Sequence, residues 1–509
     1  MILLGIDIGT SGTKTLAIRE SGEILAEATA SYPCYHPQPL WSEQDPADWW
    51  KATVETVQRV VECLGTAARE VKAIGLSGQM HGSVFLDEQH RVVRRALLWN
   101  DQRTQEQCRE IERLAGGREA LLQMVANPAL TGFTAPKILW LRDREPANFE
   151  RTRKVLLPKD YIRFRLTGEF ATEVSDASGT LLLDVRMRNW SNQLLEKLKL
   201  DRDLLPQCFE SHQVTGKLTR ETSDLLGLPH DCLVVGGAGD CAAGAVGNGI
   251  VTAGSLSTSL GTSGVVFVHS DEVKIDPRGR VHTFCHAVDG CWHIMGVNLS
   301  SGGALQWFRD TLCQSLVNFS KAEGFEPYNL LGLEAARIAP GSQGLFYLPY
   351  LSGERTPHAD PNARGCFIGL TLAHGRGHMV RAIMEGVTFA LRDSLEIIRE
   401  LGVPVDEIRA SGGGARSQLW RQIQADVFGQ PVCSLQAEEG PAYGVALLAA
   451  VGAGAYDHIA QACEKCVRVV SQTPVNARTS EIYQKHYALY RELYPRLKET
   501  FAQIAALEA

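Results

Sequence analysis

The sequence predicts an α/β protein of two related lobes around a cleft, and three observations carry that prediction. The chain has 509 residues, more than one hydrophobic core usually serves, so two large lobes are expected. Its opening alternates short β-rich runs with turns, and the same grammar returns from residue 232 onward. The turn Gly-Thr-Ser-Gly occurs in GIDIGTSGTK at 5–14 and again in LGTSG at 260–264, each time between β-rich segments. Matching strand order with matching turns reads as an internal duplication, and the cleft between the copies is the default ligand site. The first lobe is expected to end near residue 247 and the second near 455, with a helical tail over 456–509.

Composition narrows the class. Apolar residues make up 44% and charged residues 21%, ordinary globular usage that excludes collagen-like, coiled-coil and disordered chains. A net charge of −7 without a run of five basic residues gives no electrostatic footprint for nucleic acid, whereas small phosphates can still bind backbone N–H groups. The apolar start at 1–8 is interrupted by Asp7 and lacks a basic lead-in, so a cytoplasmic protein is expected. The longest apolar stretch, 442–456, is short and broken by Gly444, Gly452 and Gly454, which predicts a buried helix and no membrane span. Thirteen cysteines, an odd number, read as reduced thiols used as small hydrophobes. The pair Cys463 and Cys466 lacks a second ligand pair for zinc, and His282 and His286 lack the glutamate of a zinc-protease motif.

Taken in order, strands are expected at 2–9, 14–19 and 24–31, forming an antiparallel meander. A helix follows at 45–64, with Asp45 as N-cap and Pro46 at the first helical position. The strand at 71–76 runs into SGQMHG, which puts Gln79, Met80 and His81 at a strand's carboxyl end, where open α/β sheets place ligands. A buried strand at 232–235 runs into GGAGD, and further strands fill 254–269. Helical spacing marks 379–401 and 416–428, a strand at 407–410 enters SGGGARS, and 480–507 reads as an amphipathic helix packing on the surface.

Four segments carry chemistry. DIGTSGTK places Asp7 at a strand end and Gly9 and Gly12 at sharp bends, so that Thr10, Ser11 and Lys14 can cradle phosphate oxygens while Asp7 holds magnesium directly or through water. The spacing is not the Walker pattern, and a plain β-hairpin has the same letters. GGAGDCAAG presents one carboxylate, Asp240, where a helix begins, which suits the single base that phosphoryl transfer to a hydroxyl requires; an Asp helix cap is the plainer reading. SGGGARSQLW clears side chains at Gly412, Gly413 and Gly414 for a purine or a phosphate, and Gly302 and Gln306 of SSGGALQW fall on one helix face. Glycines that merely allow helix packing explain both patterns equally.

These segments, together with LWSEQDP, LLWND, LPKDYIRFRLTGE and LPYLSGERTPH, resemble the FGGY carbohydrate kinases over nearly the whole chain. The resemblance implies two ribonuclease-H-like lobes of the actin, hexokinase and Hsp70 superfamily, ATP and magnesium as cofactors, closure of the lobes on substrate, and dimerisation. Within the family, SGQMHG and LLWND are similar to the members that phosphorylate D-xylulose, which makes that ketose the expected substrate. Position by position it implies that Asp240 takes the proton of the sugar 5-hydroxyl, with Asp7 near the metal. Met80 and His81 match the sugar-contacting pair, with Gln79, Trp99 and Asp101 nearby. Thr10, Ser11, Gly12 and Lys14 match the first phosphate loop and Thr262 the second, while Gly302, Gln306, Gly413, Gly414 and Gln418 line the nucleotide. One departure is Cys241, which stands where the family commonly has an amide that reaches the sugar; a thiol is a weak partner and keeps another ketose or polyol open. A catalytically silent sugar or nucleotide sensor is the remote alternative, opposed by the intact Asp240.

Overall fold

In the first lobe the meander β1 (Ile2–Ile8), β2 (Gly12–Arg19) and β3 (Ile24–Ser31) leads into helix α1 (Pro46–Leu64) and strand β4 (Val71–Gly78). The structure, a computed structural model, describes residues 1–436 and 440–507; residues 437–439 of the expected second lobe and 508–509, the end of the expected tail, lie outside the described residues. Helix α1 starts as expected, with the Asp45 carboxylate accepting from Ala47 N and Pro46 in the first turn. An excursion then holds α2 (Thr134–Arg144), α3 (Pro158–Thr167) and α4 (Val174–Ser178), after which β5 (Val214–Lys217), β6 (Leu233–Val235) and β7 (Ala238–Gly239) rejoin the sheet. The sheet runs β5-β6-β4-β1-β2-β3, with β7 on β4, and ends in helix α5 (Asp240–Gly247).

The second lobe repeats the plan. Strands β8 (Gly254–Leu260), β9 (Gly264–Ser270), β10 (His282–Cys285) and β11 (Trp292–Asn298) precede helices α6 (Gly302–Leu312) and α7 (Arg376–Glu400). Strand β12 (Val405–Ser411), helix α8 (Gln418–Phe428), strand β13 (Val432–Leu435), helix α9 (Gly440–Gly452), strand β14 (Val469–Thr473) and helix α10 (Ala477–Leu507) complete it. The sheet order is β10-β11-β9-β8-β12-β13-β14. In each sheet the first strand pairs antiparallel with the second and parallel with the strand after the meander, and an antiparallel strand closes the far edge.

Strand alternation decides what each face of the first sheet carries. Ile2, Leu4, Ile6 and Ile8 point toward Trp49, Val57 and Val60 of α1. Leu3 and Ala73, on the opposite face, join a core made largely by α5 and α9. Residues 442–451 of α9 are all buried, and among the described residues no helix is long and apolar enough to cross a membrane. Although α9 follows the second sheet's strands in the chain, it lies on the first lobe's sheet, because Gly5, Gly75 and Gly444 let backbones touch there. A Cβ on Gly5 would fall 1.8 Å from Ala442 O, one on Gly75 1.9 Å from Val445 O, and one on Gly444 1.8 Å from Ala243 O.

The carboxyl-terminal helix is more than a surface attachment. Tyr483, Tyr487, Tyr490 and Tyr494 line its buried stripe, at the three- and four-residue spacing of one helix face. Tyr483 donates to Glu385 at 2.7 Å and accepts from Arg381 at 2.8 Å, and Tyr487 donates to Asp393 at 2.7 Å, so α10 is bonded to α7 through polar groups that burial leaves few alternatives.

The glycine contact is expected to be sharply position-dependent. Gly444→Ala should lower stability by about 1–3 kcal/mol or more, since no flexible side chain can give way. Gly332→Ala, in the helix Pro327–Ala336 with open space around it, should be neutral or stabilising by up to about 1 kcal/mol. Thermal unfolding followed by circular dichroism compares the two.

Candidate functional site

Register brings the acidic residues together. Asp7 is the sixth residue of β1, opposite Lys14 on β2 and Ser77 on β4. Alternation puts it on the same sheet face as Leu3 and Gly5, the face that α5 and α9 cover. Strand β7 pairs Ala238 with Ser77 and Gly239 with Gly78, so the next residue, Asp240, starts α5 beside the same strand ends. Burial and then the neighbouring Asp240 push the Asp7 carboxyl up to about 7, against smaller opposing effects of the Ser77 hydroxyl and Lys14. Burial likewise pushes Asp240 up to about 6, although Cys241 N donates to its Oδ1 at 2.7 Å. Asp7 Oδ1 is buried and has no hydrogen-bond partner among the described residues. An unpartnered carboxylate oxygen beside a second carboxylate suits a hard divalent cation.

The first glycine turn is tied down so that its carbonyls are spent. Gly9 O accepts from Tyr32 OH at 2.5 Å and Thr10 O from Gln44 Nε2 at 2.6 Å. Thr10 Oγ1 accepts from Trp99 Nε1 at 2.9 Å, which leaves the Thr10 hydroxyl proton to donate elsewhere. Ser11 is exposed and Gly12 half-buried; a Cβ at Gly12 would meet Ala30 O at 2.6 Å. The Lys14 amine lies 2.9 Å from Glu27 on β3. Gln79 Nε2 donates to Gln44 Oε1 at 2.8 Å, and Gln79 N to Ile8 O at 2.9 Å, so the expected sugar-side motif braces the expected phosphate turn.

Met80 packs against Gly239, the residue before Asp240, and His81 follows Met80; each has a structural reason for its conformation. A Cβ on Gly239 would fall 2.9 Å from Met80 Cγ, so the thioether is packed under the residue that precedes Asp240. His81 takes φ +69°, a left-handed conformation that costs a non-glycine residue about 1 kcal/mol or more. Its carbonyl is held from α2, by Lys137 Nζ at 2.8 Å and Thr134 Oγ1 at 3.1 Å. Its ring Nδ1 lies 2.6 Å from Gly179 O, and a carbonyl only accepts, so Nδ1 carries the proton and Nε2 keeps a lone pair. Burial, with Lys137, Arg355 and His282 nearby, holds the imidazole well below its ordinary value and therefore neutral. Burial also lowers Lys137 itself to about 7.

Two expected sugar-side residues are placed less directly. Asp101 is fully buried; its oxygens accept from Ser42 N at 2.7 Å, Arg103 N at 3.0 Å and Arg103 Nη2 at 2.7 Å, which leaves none facing the cleft. The Trp99 indole serves Thr10, as above. Cys241 is half-buried, and its thiol is hydrogen-bonded to Asp240 and held well above its ordinary value by burial and that carboxylate.

In the second lobe the turn at 261–263 is stitched to the start of α6: Gly261 O accepts from Gly302 N at 2.8 Å and Thr262 O from Gly303 N at 3.0 Å. A Cβ on Gly302 would meet Gly261 O at 2.5 Å. Gly412, with φ +79°, and Gly414 lie against Leu260, with built Cβ positions 2.9 Å and 2.7 Å from it, while Gly413 faces open space. The three glycines therefore do different things, and only Gly413 leaves a free surface. Thr262, Gln306 and Gln418 are exposed around this platform. Cys463 and Cys466, one turn apart, bond to the carbonyls of Val246 and Glu20, with thiols raised by burial, as befits structural cysteines.

Arg355 was not singled out by the sequence. It lies within LPYLSGERTPH, but one arginine in a loop has no spacing that separates it from a surface cation. The structure sends it from the second lobe to the first, where Nη2 is 3.9 Å from the place a Cβ on Gly132 would occupy. Its charge depresses both His81 and His282, and no carboxylate among the described residues forms an ion pair with it. Glu354, next to it, is pushed up to about 8 by burial, so it is largely protonated near neutrality.

Two lobes of the same plan, each with a glycine turn after its first strand, and with Asp7 and Asp240 at neighbouring strand ends of the first, form the scaffold of a small-molecule kinase, whose chemistry is mostly alignment and charge neutralisation. Residues 2–247 match the N-terminal domain of the FGGY family of carbohydrate kinases, and residues 256–453 the C-terminal domain. The chain belongs to that family and is a phosphotransferase that uses ATP to phosphorylate a sugar. It is 41% identical over 497 residues to the xylulose kinase of Bacillus subtilis (strain 168), covering 98% of this chain and 97% of that one. The xylulose kinase of Escherichia coli (strain K12) is also 41% identical, over 97% of this chain and 99% of its own. The crystal structure of a xyloylose kinase from Brucella ovis superposes with a TM-score of 0.90 at 37% identity, covering 98% of this chain and 100% of that one.

The raised carboxyls set a stability prediction. The folded state holds the Asp240 proton up to about pH 6, whereas the unfolded chain releases it near 3.8, so ionised Asp240 destabilises the fold at higher pH. Without divalent cation, Asp240→Asn should stabilise the protein by about 1–3 kcal/mol at pH 8 and by little at pH 4. Thermal melts at the two pH values read the difference.

Proposed function

We propose that the protein transfers the γ-phosphoryl group of ATP to the 5-hydroxyl of D-xylulose, with Asp240 as general base. The observation that carries this reading is that Met80 packs against Gly239, the residue before Asp240, while the next residue, His81, is a neutral imidazole whose Nε2 can accept from a sugar hydroxyl, and Arg355 acts on both His81 and Cys241. The likeness to xylulose kinases over nearly the full length supports the choice of ketose.

In this mechanism His81 Nε2 accepts from one sugar hydroxyl and the Arg355 guanidinium donates to a hydroxyl or the keto oxygen, so that both lobes grip the substrate. Met80 packs beneath the Gly239–Asp240 peptide and sets the carboxylate's height. The Asp240 carboxylate accepts the 5-hydroxyl proton as the sugar oxygen bonds to the γ-phosphorus and the bond from that phosphorus to ADP breaks. A carboxylate serves although it is a weak base, because in a loose transition state the proton leaves late. The Thr10 hydroxyl, the N–H groups around Ser11 and Gly12, and Thr262 hold the phosphates from the two sides, with Lys14 adding positive charge. Gly302, Gln306, Gly413, Gly414 and Gln418 form the nucleotide platform. Gln79, Trp99 and Asp101 act as positioning residues that brace these loops. Asp7 and Asp240 would hold Mg2+, which supplies neutralisation of phosphate charge. Interlobe closure, with α5 and α9 as the packed pivot, excludes water as a competing acceptor.

Cys241 favours a second reading, a kinase of a related ketose or polyol such as ribulose, because its thiol is engaged by Asp240 and offers the sugar little. ADP release against a panel of D-xylulose, L-xylulose, D-ribulose, L-ribulose, glycerol, D-gluconate and D-arabinitol separates the two. D-xylulose is expected to have the highest kcat/KM; a higher value for another substrate overturns that assignment. Cys241→Asn should lower the KM for D-xylulose, and an unchanged or higher KM contradicts a lost contact.

Asp240→Ala should reduce kcat by at least about 1,000-fold with sugar binding retained, as measured by calorimetry; near-normal turnover rules out the base assignment. Because the carboxylate must be ionised, kcat/KM should fall about tenfold per pH unit below about 6. A pH–rate profile flat to pH 4.5 contradicts it.

A further inference from the structure

A second cluster of ligating side chains lies at the outer end of the β9–β11 ladder, away from the glycine turns. The antiparallel register pairs His269 with His293 and Ser270 with Trp292, and its continuation sets Asp271 opposite Cys291. His269 and Asp271 are two residues apart and so share a face of the strand. Three different ligand types thereby converge: His269 Nε2 is 2.8 Å from Asp271 Oδ1, Cys291 Sγ is 3.9 Å from the same oxygen, and the three donor atoms all lie within 4.8 Å of one another. His269 is buried and Asp271 exposed, so the cluster has a fixed floor and a mobile outer arm that opens to water.

We propose that His269, Asp271 and Cys291 form a binding site for Zn2+ or a similar borderline divalent metal, with water in the fourth position. Tetrahedral zinc needs a nitrogen–oxygen separation of about 3.3 Å and an oxygen–sulfur separation of about 3.5 Å. The present 2.8 Å and 3.9 Å differ from these by about half an ångström, a shift the exposed Asp271 side chain can absorb without moving either strand. A thiolate and an imidazole select zinc over magnesium, which prefers six oxygen ligands, so the magnesium that serves phosphoryl transfer leaves this site open to zinc. Binding balances by release of the Cys291 thiol proton and by transfer of the His269 ring proton from Nε2 to Nδ1. Nδ1 has no hydrogen-bond partner among the described residues, so affinity should fall about 10- to 100-fold below that of a buttressed histidine site.

The location gives the site a mechanical setting. The turn that carries Cys291 is held to the first lobe, since Arg188 donates to Cys291 O at 2.6 Å and pairs with Glu210 at 2.5 Å, while His212 meets Asp289 at 3.0 Å. A metal here ties two strands of the second sheet at the seam between the lobes.

The test is titration of the full-length, metal-stripped protein with Co2+ as a spectroscopic stand-in for zinc. One equivalent should bind with tetrahedral visible bands and a near-ultraviolet thiolate-to-cobalt band. Cys291→Ser should lose that thiolate band, Asp271→Asn should weaken binding at least tenfold, and Cys466→Ser should change neither. Unaltered ATP-dependent sugar phosphorylation by Cys291→Ser shows that the variant is folded. Absence of stoichiometric Co2+ binding by the unsubstituted chain, or survival of the thiolate band in Cys291→Ser, overturns the proposal.

Discussion

Strand β4 holds two carboxylates where neither would settle alone. It pairs with β1 so that Ser77 faces Asp7, and with β7 so that Gly78 faces Gly239, one residue before Asp240. Both acids are thus set by backbone hydrogen bonds of one sheet, which limits how far side-chain rotation can separate them. Each is pushed up by burial, and Asp7 further by its neighbour, so the apo fold carries a standing electrostatic penalty at this point. Such a penalty is tolerated where function needs it and compensated by packing elsewhere. A divalent cation together with phosphates would turn it into attraction.

The compensation comes from the helices behind the pair. Glycines at 5, 75 and 444 allow α9 to sink onto the sheet and onto α5, giving an apolar core that includes Leu3, Val246 and residues 445–451. Helix α5 has Asp240 at one end and this core along its length, so the carboxylate proposed as the base rests on a firmly packed element. The same economy recurs in the second lobe, where Gly302, Gly412 and Gly414 bring loops onto the turn at 261–263 and its strand. Backbone proximity, rather than side-chain reach, shapes both halves of the cleft.

Much of this was legible in the chain. The meander, α1 with its Asp45 cap, the strand into GGAGD and the repeat of strand order all follow from local alternation, capping and glycine punctuation, which tertiary contacts did not override. The position of Asp240 at the start of α5 was legible for the same reason, as the single carboxylate after a glycine-rich strand end. What was not legible needed long-range geometry. Glycine runs look alike in sequence, yet Gly413 faces open space while Gly412 and Gly414 are filled by Leu260. Asp101 resembles a ligand residue until Arg103 and Ser42 are seen to use its oxygens. Lys137 and Arg355 are ordinary cations in sequence and acquire meaning only beside His81, from 56 residues away in one case and from the other lobe in the second. The carboxyl-terminal tyrosines read as an amphipathic stripe, while their buried bonds to Glu385 and Asp393 depend on where α7 lies.

The central claim, that the sheet forces Asp7 and Asp240 into mutual repulsion, is tested most directly by carbon-13 NMR titration of aspartate-labelled protein without ligands. The account predicts that Asp240→Asn removes one carboxyl signal titrating near 6 and moves a second, Asp7, downward from about 7. A spectrum in which no carboxyl that titrates above 5 changes on substitution contradicts it.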